Sequence, residues 1–111
     1  MPDLDPEDEK LITLARSARA RTQAAEGAAV RDTDGRTYVA TTVELPSLKL
    51  TALQAAVAAA VSSGVESLDA AVVVTEENTV QEASVRAVRD LAAQAPILRA
   101  DSSGTVQETL R

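Results

Sequence analysis

The sequence has 111 residues, 45% of them hydrophobic and 25% charged, and this size and composition are typical of one globular domain spanning residues 1–111. Its formal net charge is −6 and Tyr38 is its only aromatic residue, so we expect no nucleic-acid partner, because phosphates attract basic surfaces and bases stack on aromatic rings. The sequence contains no cysteine and no histidine, which excludes disulfides and thiolate or imidazole metal ligands.

The N-terminal region predicts a helix and no targeting signal. Residues 1–5 are acidic and lack the basic start and apolar stretch of a secretory signal, and no segment reaches the roughly 18 apolar residues of a membrane helix. We therefore expect a cytoplasmic protein without membrane contact. Asp5 is a suitable N-cap, and the helical spacing of apolar residues after it predicts a helix over residues 6–20.

Three arginines lie toward the end of this helix: Arg16, Arg19 and Arg21. They either bind an anion or, as we favour, complement the negative C-terminal end of the helix.

The next segment predicts a β-hairpin. Residues 27–31 and 37–43 form two strands around a turn that contains Asp34 and Gly35. Asp32 and Asp34 also resemble the start of a calcium loop, but an EF-hand needs a Glu about seven positions later, where Val and Thr occur. A tight turn is the favoured interpretation.

The middle of the chain is unusually apolar. The sequence from Leu50 to Val65 carries no charge, and its alanine-rich centre predicts a second helix that ends at Gly64. Because this helix is apolar on every side, another helix or another subunit must cover the face that the sheet leaves free, which indicates a homo-oligomer. The apolar run at residues 68–75 is typical of a central strand buried on both faces.

A third helix is predicted to follow this strand. Thr79 and Glu82 match a capping box, and apolar positions then recur at helical spacing up to Ala95. Glu76 and Glu77, together with Glu82, either hold a hard cation or lie near the positive end of the helix, and we favour the second interpretation.

The chain is predicted to close with a second hairpin, formed by residues 96–100 and 105–110 around a turn at 101–104. The predicted order is helix, strand, strand, helix, strand, helix, strand, strand. This order allows helices on both faces of a sheet.

This order and several local motifs resemble the cytidine deaminase family. The motifs are the Asp34-Gly35 turn, Val43-Glu44 where the family has Asn-Val-Glu, Ser47 with Leu50-Thr51 where it has Ser-x-x-Leu-Thr, and Val85-Arg86 with Val88 where it has Cys-Arg-Gln-Val. The resemblance covers nearly the whole chain. It implies an α/β fold, a three-layer α/β/α sandwich with a five-stranded mixed sheet, that assembles as a homo-tetramer or homo-dimer.

The resemblance also identifies a vestigial substrate pocket. In the family, three Cys or His/Cys ligands hold a zinc ion whose water attacks cytosine, and a Glu two residues beyond the first ligand moves protons. The matching positions here are Leu53 for the first ligand, Ala55 for the catalytic Glu, Glu82 and Val85 for the paired ligands, and Thr42 and Glu44 for the ribose-binding pair. We therefore expect no metal, no cofactor and no deaminase activity. The retained Glu44 either binds a sugar hydroxyl or is an ordinary exposed acid.

Three functional hypotheses follow. The leading one is a non-catalytic interaction or scaffold subunit for an unidentified protein partner. The second is a sensor that binds a nucleoside-like molecule in the vestigial pocket, and the third is an enzyme with an unrelated site, such as a Ser-Lys pair that uses Lys10 or Lys49. A closed, apolar pocket favours the scaffold, whereas an open pocket with convergent polar groups favours ligand binding.

Overall fold

The computed structural model describes residues 4–111, so the first three residues of the acidic N-terminal segment lie outside the described part. The described residues form three helices and seven strands. In chain order these are α1 (Pro6–Thr22), β1 (Gly27–Asp32), β2 (Thr37–Thr41), β3 (Val43–Leu45), β4 (Leu48–Leu50), α2 (Ala52–Ser62), β5 (Leu68–Val74), α3 (Glu82–Leu91), β6 (Ile97–Ala100) and β7 (Val106–Leu110).

Five strands form a mixed sheet in the order β2-β1-β5-β6-β7. The β5–β6 pair is parallel, and its crossover contains α3, whereas the other three pairs are antiparallel. The predicted five-stranded mixed sheet is confirmed. Its two hairpins were predictable from their turns, and Gly35 and Gly104 in those turns have φ of 86° and 87°, a conformation that glycine adopts without strain.

The helices cover both faces of this sheet, because side chains alternate between the faces along each strand. From β5, Ala71 and Val73 pack toward α2 and α3, whereas Val72 and Val74 pack toward α1. Six of the seven β5 residues are buried, as expected for a central strand. The predicted three-layer α/β/α sandwich is therefore confirmed.

The apolar α2 is covered partly by its own chain. It contacts β1, β2 and β5 on one side and α3 on another, so a neighbouring helix supplies some of the expected cover. Ala58 and Ala59 stay exposed, and Val61 is 52% exposed. Within residues 4–111, no helix is both long and apolar enough to cross a membrane.

The start of α1 is confirmed and the start of α3 is corrected. The Asp5 carboxylate accepts the backbone N–H of Glu7 at 2.8 Å, as its N-cap role predicts. The capping box expected at Thr79 and Glu82 is wrong, because α3 begins at Glu82 and its N-cap residue, Gln81, makes no side-chain capping bond. Val80 is buried in the core below α3, and this packing delays the helix by two residues.

A short hairpin was not predicted. β3 and β4 pair with each other rather than with the main sheet, and they carry the chain from β2 to α2. The predicted second strand included Val43, which instead begins this hairpin. Leu45 and Leu48 lie at its end and are 55% and 49% exposed.

Candidate functional site

An open cavity of about 500 Å³ lies at the ends of the strands of the main sheet, beside the N-termini of α2 and α3. The start of β1 and the ends of β2 and β5 meet there, because β1 runs antiparallel to both and pairs Gly27 with Thr41 and with Val74. Its polar lining comes from the following side chains: Arg19, Glu26, Thr42, Glu44, Lys49, Thr51, Gln54, Thr75, Glu76, Glu77 and Gln81.

A hydrogen-bond network joins the N-termini of α2 and α3. Thr51 and Gln54 form a capping box, in which the Thr51 hydroxyl accepts the Gln54 backbone N–H at 3.1 Å and the Gln54 side chain accepts the Thr51 N–H at 2.9 Å. The buried Ser84 hydroxyl of α3 donates to the Thr51 hydroxyl at 2.7 Å. This network fixes the position of Gln54 at the cavity.

Glu26 places a carboxylate at the same cavity. It directly precedes β1 and is 5% exposed. Its backbone N–H donates to the Thr42 hydroxyl at 3.0 Å, and its carbonyl accepts the Thr42 N–H at 3.2 Å, so the end of β2 holds it on both sides. The Gln81 side-chain amide lies 3.5 Å from one Glu26 carboxylate oxygen. The cavity therefore brings together residues that flank the start of β1, the end of β2 and the start of α3.

The charged lining is acidic on balance, with four glutamates and two basic residues. Arg19 is already occupied, because it donates to the Ala25 carbonyl at 3.1 Å and forms an ion pair with Glu76 at 3.6 Å. Glu76 itself is exposed to solvent. The cavity therefore favours ligands that are neutral or positively charged over anions.

The structure brings together only two of the six residues predicted for the vestigial pocket. Thr42 and Glu44 line the cavity. The other four do not line it: Leu53 is fully buried in the core, Ala55 and Val85 are half-buried, and Glu82 is exposed and pairs with Arg86.

The residues at the family's metal positions do not fit a zinc ion. Zinc in proteins is bound by thiolate, imidazole and carboxylate groups. Leu53, Ala55 and Val85 offer no such donor, and the Glu82 carboxylate is paired with Arg86 on the solvent side. Among residues 4–111 no group of three Asp, Glu, His or Cys side chains is placed to hold a metal ion, and this includes the acidic group considered around Glu76.

Two aspartates accept hydrogen bonds within the hairpin turns. Burial raises the pKa of Asp32, but hydrogen bonds from the backbone N–H groups of Arg36 and Asp34 outweigh it and hold this pKa below its ordinary value. The Asp32 carboxylate thus closes the turn, which supports the tight turn rather than the calcium loop. The Ser103 hydroxyl and the Thr105 backbone N–H likewise lower the pKa of Asp101.

The arginines of α1 bind parts of this chain. Arg16 donates to the Ser102 carbonyl at 2.8 Å and so links α1 to the last hairpin, while Arg19 links it to the segment before β1. Arg21 is exposed. Two of the three arginines therefore tie α1 to neighbouring loops, a role that their helical position alone did not predict.

Sequence reasoning missed the residues that give the cavity its polar interior: Glu26, Gln54 and Gln81. The sequence held a signal for Glu26, because it is an isolated acid directly before a strand of small apolar residues. It also held a signal for Gln54, because Thr51-x-x-Gln54 has the spacing of a capping box.

Several solved structures have a fold similar to that of this chain, and three of them are cytidine deaminases. The cytidine deaminase from Burkholderia pseudomallei has a TM-score of 0.79 and 23% identity, covering 91% of this chain and 89% of that one. The cytidine deaminase from Mycobacterium leprae has a TM-score of 0.72 and 22% identity, covering 93% of each chain. A mutant cytidine deaminase from Mycobacterium tuberculosis has a TM-score of 0.69 and 25% identity, covering 87% of this chain and 85% of that one.

A search of curated proteins found no match, but comparison with family models identifies the family. The family model described as cytidine deaminase-like matches residues 4–104, which is nearly the whole chain. The chain therefore belongs to the cytidine deaminase-like family.

Proposed function

We propose that this protein is a non-catalytic member of its family that binds a small nucleoside-like molecule in the cavity beside α2 and α3. The observation that carries the proposal is the convergence of Glu26, Thr42, Gln54 and Gln81 on an open cavity. Its volume of about 500 Å³ lies within the range of roughly 300–1,000 Å³ that small-molecule sites occupy. A closed apolar interior would have favoured the scaffold hypothesis instead.

The non-catalytic part of the proposal rests on the chemistry that deamination requires. A metal lowers the pKa of its bound water to near 7, which makes attack on a pyrimidine carbon feasible near neutrality. This chain has no cysteine or histidine, and Leu53, Ala55 and Val85 occupy positions where the family has reactive groups. Exposed glutamates elsewhere in the cavity do not replace an activated water.

Binding is tested by thermal unfolding of the purified protein with cytidine, uridine, adenosine and guanosine. A nucleoside that binds only the folded state raises its free energy of unfolding by about 2.7 kcal/mol at a concentration one hundred times its Kd. Glu44→Ala, inside the cavity, should weaken this effect, whereas Val61→Ala, on the exposed face of α2, should leave it unchanged. Binding is disproved if none of the four nucleosides stabilises the protein at millimolar concentration.

Catalysis is tested separately by measuring ammonia release from cytidine with and without added zinc. We expect no release above that of a protein-free control. Release that stops when a chelator is added would overturn the non-catalytic assignment and would leave the binding result unaffected.

We also propose that the protein forms a homo-oligomer through the end of the β3–β4 hairpin. Leu45 and Leu48 at this end are about half exposed, and large apolar side chains at a surface favour an interface. Light scattering should give a dimer or tetramer mass, and Leu48→Glu should lower it toward one chain. A monomeric mass for the unmodified protein would contradict this proposal. A scaffold role for an unidentified partner would use the same exposed side chains.

A further inference from the structure

Glu26 is held at the cavity by its backbone, but its carboxylate has few partners. The backbone forms two hydrogen bonds with Thr42, at 3.0 and 3.2 Å, and these fix the residue at the cavity wall. The residue is 5% exposed, which removes most of the water that a carboxylate normally binds. Burying an acid in this way is costly unless hydrogen-bond donors replace the lost water.

The described part of the chain supplies this carboxylate with one weak donor. Among residues 4–111, the Gln81 side-chain amide at 3.5 Å is the only group within hydrogen-bond distance of the carboxylate, and this distance is at the long limit for such a bond. No ion pair joins Glu26 to a described arginine or lysine. Of the two basic residues on the cavity wall, Arg19 is occupied by Ala25 and Glu76, and Lys49 is exposed.

The unpaired oxygen faces the cavity. Every described side-chain nitrogen or oxygen that is sealed from solvent has a hydrogen-bond partner, so the oxygen of Glu26 without a partner is reachable from outside. Glu26 lines this cavity, which is therefore its route to solvent. A ligand in the cavity is in position to supply the missing donors.

We propose that Glu26 selects the ligand by accepting two adjacent N–H groups from one planar edge. This deepens the proposed function and rests on it. The two oxygens of a carboxylate match a pair of parallel donors, and such bidentate bonds are stronger and more selective than single ones.

Among the common nucleosides, guanosine offers this pair through N1–H and its 2-amino group. Adenosine and cytidine present one amino donor beside an acceptor, and uridine presents one N–H between two carbonyls. A guanidinium compound presents the same pair of donors as guanosine. The shared chemistry is thus two adjacent N–H donors, and the acidic balance of the lining is compatible with either source.

The experiment compares ligands that carry two adjacent N–H donors on one planar edge with analogues that lack this pair. Calorimetric titration measures the Kd of guanosine against inosine, which lacks the 2-amino group, and of agmatine against putrescine, which lacks the guanidinium. We expect guanosine, agmatine or both to bind about tenfold more tightly than the matched analogue, because one bidentate pair gives roughly this discrimination. This comparison needs no variant and so does not depend on how a mutant folds.

Glu26→Gln then assigns the preference to this residue. Its amide offers one acceptor and one donor, so it should lose the preference for guanosine over inosine, whose N1–H and carbonyl match the amide. Glu66→Gln changes an exposed glutamate outside this cavity and should keep the wild-type ratio. Thermal unfolding of both variants separates a binding effect from loss of structure, since a purely structural Glu26 would change the stability and leave the ratio unaltered.

The outcomes separate this inference from the proposed function. Equal affinities for guanosine and inosine and for agmatine and putrescine, or a ratio that Glu26→Gln does not change, would overturn the role of Glu26 while nucleoside binding stands. Failure of every nucleoside to bind would overturn the proposed function. In that case agmatine binding that depends on Glu26 would still support the donor-pair inference. If agmatine also failed to bind, both the proposed function and the role of Glu26 would be overturned.

Discussion

The position that matches the family's first zinc ligand is expected to be essential for stability in this chain. Leu53 is fully buried within the core cluster between α2, α3 and the sheet. Replacing it with alanine removes buried apolar volume and leaves a cavity, which costs about 3 kcal/mol, within a usual range of about 2–5 kcal/mol. Val61 on the same helix is 52% exposed, so Val61→Ala should change the free energy of unfolding by less than about 0.5 kcal/mol.

This cost converts into a large change in melting temperature. A chain of 111 residues has an unfolding entropy of about 0.23 kcal/mol/K, at about 2.1 cal/mol/K per residue, so 3 kcal/mol lowers Tm by about 13 °C. Circular dichroism at the helix band is the suitable probe, because Tyr38 is the only aromatic residue and gives little fluorescence. Urea unfolding at one temperature provides an independent free energy.

The free energies of unfolding of Leu53→Ala and Val61→Ala test whether Leu53 is a core residue. If Leu53→Ala were no more destabilising than Val61→Ala, then Leu53 would not be a core residue. The assignment of Leu53 to the core cluster between α2, α3 and the sheet would then fail.

Two further predictions concern packing and pH. Gly27→Ala should destabilise the protein by about 1–3 kcal/mol, because its Cβ would lie 2.1 Å from the Ala15 carbonyl oxygen of α1; thermal unfolding within about 2 °C of wild type would contradict this contact. The pKa of Asp101 is lowered from 3.8 by the Ser103 hydroxyl and other donors, so its contribution to stability is complete above about pH 4 and is lost as pH falls through the lower folded value. The stability difference between wild type and Asp101→Asn, measured by urea unfolding, should therefore narrow as the pH falls below about 4, and a difference that stays constant would contradict this assignment.

Much of the fold was determined by local sequence pattern. The continuous apolar run of β5 predicted burial on both faces, and Asp34-Gly35 predicted the first hairpin, because a turn needs specific backbone angles that few residues adopt. The missing ligand types were also fixed by sequence, since no arrangement of the chain can supply a thiolate or imidazole that it does not contain. These conclusions depend only on neighbouring residues or on composition.

Local pattern did not decide where α3 begins. Thr51 with Gln54 and Thr79 with Glu82 match the same capping pattern, but only the first forms a capping box. The difference comes from tertiary packing, because Val80 is drawn into the core and α3 starts after it. A sequence window cannot show which of two equivalent signals the core will override.

The candidate site is likewise a product of the tertiary structure. Glu26 contacts Thr42, 16 residues away, because β1 pairs with β2. It contacts Gln81, 55 residues away, because the start of α3 lies at the same end of the sheet. Composition determined that this chain lacks the family's metal ligands. Only strand pairing decided which polar groups share the cavity, because residues distant in sequence become neighbours through the sheet.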